Sequence, residues 1–253
     1  MIKSLATLFA VTSLTGCIVI AAPMKANVHA QKTLTLNASQ FKSFNVDVGA
    51  GSLEIIGQSN RSEIEVIADI YTSKEAPQGY ELSLDDKGNS AELFSEMTNT
   101  VGSWQGSSPR IDLVVYVPKD LALDIKDGSG SMSISDIKNN VTINDGSGSL
   151  SVEDVEGDLK IVDNSGSINV NKVSGNLSID DGSGSIYVKN VAGDADIEDG
   201  SGSMTVTDVK GFVTVDDGSG SISVNNTGGL KIIEAGSGGL NVDNIKGQTI
   251  IDS

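Results

Sequence analysis

Acidic residues recur in this chain at an interval that would bring carboxylates together. Asp127, Asp145, Asp163, Asp181, Asp199 and Asp217 stand 18 residues apart, and Asp180, Glu198 and Asp216 each precede one of them. If one interval is one coil of a stacked chain, the carboxylates of a column lie about 5 Å apart. Like charges at that distance repel, and a hard, oxygen-seeking cation such as calcium would relieve the repulsion. Asp180, Asp181, Glu198, Asp199, Asp216 and Asp217 are therefore the candidate metal ligands, on an acidic edge. A simpler reading needs no cofactor: an aspartate ahead of a tight turn accepts backbone N–H bonds and caps it. The motif also departs from the Gly-Gly-X-Gly-X-Asp repeat of calcium-binding β-rolls, because here the aspartate precedes the glycines.

A second array is uncharged. Ser131, Ser133, Ser149, Ser151, Ser167, Asn169, Ser203, Thr205, Ser221 and Ser223 follow the same interval, interrupted by Tyr187 and Lys189. Flat polar arrays of this kind suit ice or polysaccharide, although a merely solvated strand face accounts for them too. Other chemistry is scarce. The chain has one cysteine, Cys17, and one histidine, His29, which rules out an internal disulfide, a Cys/His zinc site and a Ser–His–Asp triad. Arginine occurs only at Arg61 and Arg110, outside the repeat, and no long loops interrupt the repeat to build a cleft. The expectation is a protein that is not an enzyme.

The elements that must position these arrays are set by the repeat itself. Asp-Gly-Ser-Gly-Ser begins at Asp127, Asp145, Asp181, Asp199 and Asp217, with degenerate copies at Asp163 and Ala235. The seven copies fill residues 127–252 without insertion. A strict period means a solenoid, whose coils bury their apolar faces only by stacking. Each copy contains two stretches of period-two alternation, as in Leu150 and Val152, then Leu159 and Ile161. The pattern predicts ladders such as Ile161, Ile179, Ile197, Val215, Ile233 and Ile251. Two glycine columns, one through Gly148 and one through Gly157, are expected at corners with positive φ. The fold class is an all-β, parallel β-solenoid with two strands per coil, right-handed by the usual crossover rule. Its seven coils would span roughly 34 Å.

Composition agrees. Apolar residues make up 38% of the chain and aromatics only 4%, so Val, Ile and Leu must carry the burial. Glycine numbers 29 and proline 4, which fits many tight turns. The net charge of −17 excludes nucleic acid as a partner and favours solubility. Residues 37–126 lack the period. Strands are expected there at 42–48, 52–56, 63–72, 79–84, 91–96, 111–117 and 121–126, forming irregular coils that cap the tube. Trp104, in a loop over 98–109, is expected to fold over the end of the core. At the other end the chain stops at Ser253 after a strand-like segment, and such an edge invites weak end-to-end self-association.

The first residues read as an address. Lys3 precedes a short apolar run that is too short to span a bilayer. The run ends in Leu14-Thr15-Gly16-Cys17, which resembles the lipobox of bacterial lipoproteins. That resemblance implies a signal peptide over 1–17 lipidated at Cys17, a tether over 18–36 and a lipid anchor in the outer membrane. The alternative is ordinary cleavage after Val28-His29-Ala30, giving a periplasmic or secreted protein. Both imply export to the cell envelope.

The segment Ile111–Ser131, IDLVVYVPKDLALDIKDGSGS, resembles the bacterial putative-adhesin family of unknown function, in which a strand, a Val-Pro-Lys type turn and a second strand lead into Gly-Ser-Gly repeats. FNVDVGAGSLEIIG, Phe44–Gly57, is similar to the opening rung of that family, and the likeness covers roughly residues 37–253. It implies a surface or periplasmic solenoid without naming a ligand. The expected function is a non-catalytic envelope solenoid, serving as a scaffold or an adhesin-like surface for a protein or glycan partner. The alternatives are a calcium-binding module and an ice- or glycan-binding face.

Overall fold

Alternation of side chains decides the strands. In the coil from Gly148 to Asp163, Leu150, Val152, Val155, Leu159 and Ile161 are at most 1% exposed, while Ser149, Ser151, Glu153 and Lys160 face solvent. The computed structural model describes residues 25–73, 79–98, 104, 106 and 108–252, and none of these is helical. The signal peptide, Cys17 and the tether as far as residue 24 lie outside the described residues.

Strands β1 (Val28–Asn37), β2 (Ser43–Ala50), β3 (Leu53–Gln58), β4 (Glu63–Thr72), β5 (Gly79–Asp86), β6 (Ser90–Thr98) and β7 (Arg110–Pro118) make the first part of the molecule. The long β8 (Ala122–Ile137) opens the regular coils. They continue as β9 (Val141–Asp145), β10 (Gly148–Val155), β11 (Leu159–Asp163), β12 (Gly166–Val173), β13 (Leu177–Asp181), β14 (Gly184–Val191) and β15 (Ala195–Asp199). The last are β16 (Gly202–Asp217), β17 (Gly220–Glu234), β18 (Leu240–Ile245) and β19 (Thr249–Ile251). Two runs of neighbouring strands enclose one core. One run passes through β8, β10, β12, β14, β16, β17 and β18, and the other through β8, β9, β11, β13, β15, β16, β17 and β19. Every pairing in them is parallel, and through β15 each residue pairs with the one 18 positions on, as in Ile161↔Ile179. This is the parallel β-solenoid with two strands per coil that the repeat predicts.

The corners differ from the expectation in one respect. Only the column through Gly148 has positive φ, from 138° at Gly130 to 155° at Gly220. There the coils approach so closely that a Cβ on Gly148 would lie 1.6 Å from the carbonyl oxygen of Gly130. The column through Gly157 has ordinary φ, and is glycine because successive turns touch. In the regular coils the left-handed non-glycine residues fall inside the longer strands, on Asp136, Asp154, Lys172, Asn190, Asp208, Asn226 and Asn244. Each puts a bend between two inward residues, as Asp154 does between Val152 and Val155.

A second difference is a slip of register late in the tube. Val209 pairs with Thr227, but Val215 pairs with Ile232, and the original spacing returns at Asp216↔Glu234. Phe212 takes the turn position held by Asp158, Asn176 and Asp194 in earlier coils, and its ring stands where a Cβ on Gly229 would be. Ile232 is therefore fully buried, while Ile233, expected in the ladder, is 42% exposed. Ile251, in the last coil, is 49% exposed.

The first part of the molecule is less irregular than its sequence. Strands β2 and β3 form a coil of their own that stacks in register on β8, with Phe44↔Leu123 and Leu53↔Met132. Strands β6 and β7 stack on its other side, again parallel. Antiparallel strands then cover the end: β5 on β6, β4 on β7, and β1 on β4. Strand β1 corrects the tether reading for residues 28–36, all of which pair with β4 from Val28↔Thr72 onward. Trp104 is half-buried.

Candidate functional site

Strand parity separates the acidic residues expected to act together. Asp163 follows Leu159 and Ile161 at two-residue steps, so it points inward with them. Asp127, Asp145, Asp163, Asp181, Asp199 and Asp217 are all between 1% and 7% exposed and pair in unbroken register from one coil to the next. Their sequence neighbours Asp180 and Glu198 face solvent and Asp216 is half-buried on that same outer side. The pairs 180/181, 198/199 and 216/217 thus diverge across the sheet. Among the described residues no group of three or more His, Cys, Asp or Glu side chains has a metal-holding arrangement.

Each inward aspartate caps the turn that follows it. The N–H of Ser147, Ser165, Ser183, Ser201 and Ser219 donates to Oδ1 of the aspartate two residues earlier, at 3.0–3.2 Å. Oδ2 of all six aspartates is buried without a hydrogen-bond partner. Burial is the main reason that all six carboxyls are harder to ionise than usual. Asp127 is pushed up to about 7, by burial and then by Asp145, against the N–H groups of Ser129 and Gly128. Asp181 is pushed up to about 6, by burial first, with Asp163, Asp199 and Asp180 adding to it.

The hydroxyl array lies on the outer side of the longer strands. Ser131, Ser149, Ser167, Ser185, Ser203 and Ser221 form one continuous column. Ser133, Ser151, Asn169, Tyr187, Thr205 and Ser223 form the next. Tyr187, 50% exposed, stands in the middle of the second column. Toward the cap the array runs into a groove of about 490 Å³, bordered by Ser52, Glu54, Asp69 and Asp112. Asp112 is fixed there by Arg110, whose Nε donates at 3.0 Å, and by the N–H of Ser52 at 3.0 Å. The groove was not legible from the repeat, because its acidic border comes from β3, β4 and β7.

The solenoid, its antiparallel cap and its polar repeated face define a class, the stacked β-coil proteins anticipated from Ile111–Ser131 and Phe44–Gly57. Within that class, the chain belongs to the Toastrack DUF4097 family, whose model matches residues 41–249. No curated protein matches the chain. Solved structures similar to it include a putative adhesin from Bacteroides fragilis, 12% identical over 91% of this chain and 100% of that one, with a TM-score of 0.44. A putative lipid binding protein from Parabacteroides distasonis is 16% identical over 92% and 100% of the two chains, with a TM-score of 0.42. A putative cell adhesion protein from Clostridium sporogenes is 12% identical over 85% and 99%, with a TM-score of 0.37.

Proposed function

We propose that this protein is a non-catalytic solenoid of the cell envelope that presents its hydroxyl face as an adhesin-like surface for polysaccharide. The observation that carries the reading is the continuity of the two polar columns from β8 to β17, ending in the acidic-bordered groove. A rigid row of hydroxyls offers hydrogen bonds at the strand spacing, and a polysaccharide can follow it without ordering any protein loop. Tyr187 favours a sugar over ice. Its half-exposed ring breaks the flatness that an ice plane needs and offers an apolar platform for a sugar ring. Binding of the protein to a glycan array and to envelope polysaccharide tests this. Tyr187→Ala should weaken binding about tenfold, the scale of an anchor residue. Absence of binding to every glycan would remove the reading.

Attachment to the envelope is part of the same proposal, through lipid on Cys17. What supports Cys17 over cleavage after Ala30 is strand β1. Val28, His29 and Ala30 pair with Thr72, Tyr71 and Ile70, and His29 Nε2 lies 2.7 Å from Asp69 Oδ1. Cleavage after Ala30 would cut this strand, whereas cleavage before Cys17 leaves it whole.

A further inference from the structure

The inward aspartates have a geometry that turn capping does not account for. Capping uses Oδ1, while Oδ2 is equally buried in each and has no partner. A buried carboxylate with unmet hydrogen-bonding capacity either finds a partner or gives up its charge. Here the nearest titratable group in register is always another aspartate: Asp127↔Asp145, Asp145↔Asp163, Asp163↔Asp181, Asp181↔Asp199 and Asp199↔Asp217. One strand spacing, about 4.8 Å, separates successive backbones.

The column is also bounded. Before Asp127 its place is taken by Val48 and then Ser95, and after Asp217 by Ala235. The opposite run of strands presents apolar residues to the interior, as β10 does with Leu150, Val152 and Val155. Besides the aspartates, the buried polar side chains among the described residues are Ser73, Ser95 and Thr227, none of which carries charge. The charged groups that act on the column from outside are Asp180, Asp216 and Glu234, all acidic. Its outward strand neighbours are Lys126, Asn144, Val162, Asp180, Glu198 and Asp216. A void of only about 10 Å³ adjoins Asp127, Ser95, Val48 and Ile111. That is room for about one water and not for a cation with the six to eight oxygen ligands that calcium takes.

We propose that the six aspartates form a buried proton-binding column, in which the Oδ2–H of a neutral carboxyl faces the carboxylate of the next coil, so that the solenoid is tightened by acid and loosened by rising pH. This goes beyond the polysaccharide reading and stands independently of it. The sign follows from linkage. Above about pH 4 the unfolded chain has released these protons, while the folded column still holds them. Stability is therefore fully present below the ordinary aspartate range and is lost as pH rises through the folded values, about 6 at Asp181 and about 7 at Asp127.

The test is thermal melting of the full chain at about pH 5 and about pH 8, in enough salt to screen the surface charge. The melting temperature should fall by about 5 °C or more between them. The triple variant Asp145→Asn, Asp181→Asn, Asp217→Asn keeps the turn-capping oxygen and removes alternate charges. It should lose at least about half of the pH dependence. The control Asp180→Asn, Glu198→Gln, Asp216→Asn makes the same change of charge on the outer side and should keep most of it. Independently of any variant, the infrared spectrum of the wild-type chain at neutral pH should contain the band of a protonated carboxylic acid. Equal melting at both pH values, or absence of that band, would overturn the proposal. So would a saturable stabilisation by calcium at about pH 8 that the inner variant abolishes, which would make the column a cation site.

Discussion

The cap and the regular coils of this molecule are held together differently. At the cap, the parallel coils stop against antiparallel strands, and the outermost strand, β1, has mostly exposed or half-buried polar residues. The cap also contains both arginines of the chain, each in a short network: Arg61 with Glu65 at 2.6 Å, and Arg110 with Asp112 at 3.0 Å. In the regular coils the polar contacts run between like positions 18 residues apart, as in the chain from Asn140 through Asp158 and Asn176 to Asp194. In the coil after Ala235 these contacts continue, with Asn241 Nδ2 donating to Ser223 Oγ at 3.4 Å, while Leu240 is 39% and Ile251 49% exposed. In the repeat a residue is chosen for its match to its own copy one coil away. In the cap it is chosen for a unique neighbour. Tolerance to substitution should differ accordingly.

The sharpest break should come from glycine. A Cβ on Gly166 would meet the carbonyl oxygen of Gly148 at 1.8 Å, at φ 145°, whereas Gly88 in the cap has positive φ but open space around it. Gly166→Ala should cost about 4 kcal/mol or more, and Gly88→Ala about 1 kcal/mol, both read from denaturant unfolding. Equal costs would mean that coil spacing is softer than the register implies.

Next in size is the slip at Phe212. Ile232→Ala should cost about 2–5 kcal/mol as a buried truncation, and Ile233→Ala within about 0.5 kcal/mol as an exposed one. The reverse order would restore an unbroken 18-residue ladder.

The smallest effect belongs to the cap strand. A chain beginning at Gln31 loses the three pairs from Val28 to Ala30, the contact of His29 with Asp69, and the stacking of His29 on Tyr71 at 4.8 Å. It should be less stable than one beginning at Cys17 by about 1–2 kcal/mol. The mass of the mature chain should correspond to a lipidated Cys17, and a mature chain beginning at Gln31 would make the anchoring proposal untenable.

Much of this was legible in the sequence because alternation and period act on the same residues. The coils, their inward ladders and most cap strands are readable from Leu159 and Ile161 or from Ile111 and Leu113. The parity that places Leu159 and Ile161 inside also places Asp163 inside, but an aspartate beside a Gly-Ser-Gly turn looks like a surface residue, and its charge obscures the pattern. Strand β1 hides for a different reason: only Leu34 and Leu36 alternate clearly within VHAQKTLTLN, and β4, which it pairs with, is brought there by the fold. The slip at Phe212 depends on one ring meeting Gly229 across coils, a contact that no local pattern encodes.

The unbroken register from β8 to β15 also bears on how such a gene can change. Removing residues 163–180 would join Val162 to Asp181 and leave each column facing its own kind, with the tube one coil shorter. A deletion of an odd number of residues inside a strand would set core positions against surface ones. Unequal recombination between repeats should therefore yield whole-coil alleles that still fold, while odd-length deletions inside a strand should be purged. Lineages of this protein should differ in coil number more readily than in coil length.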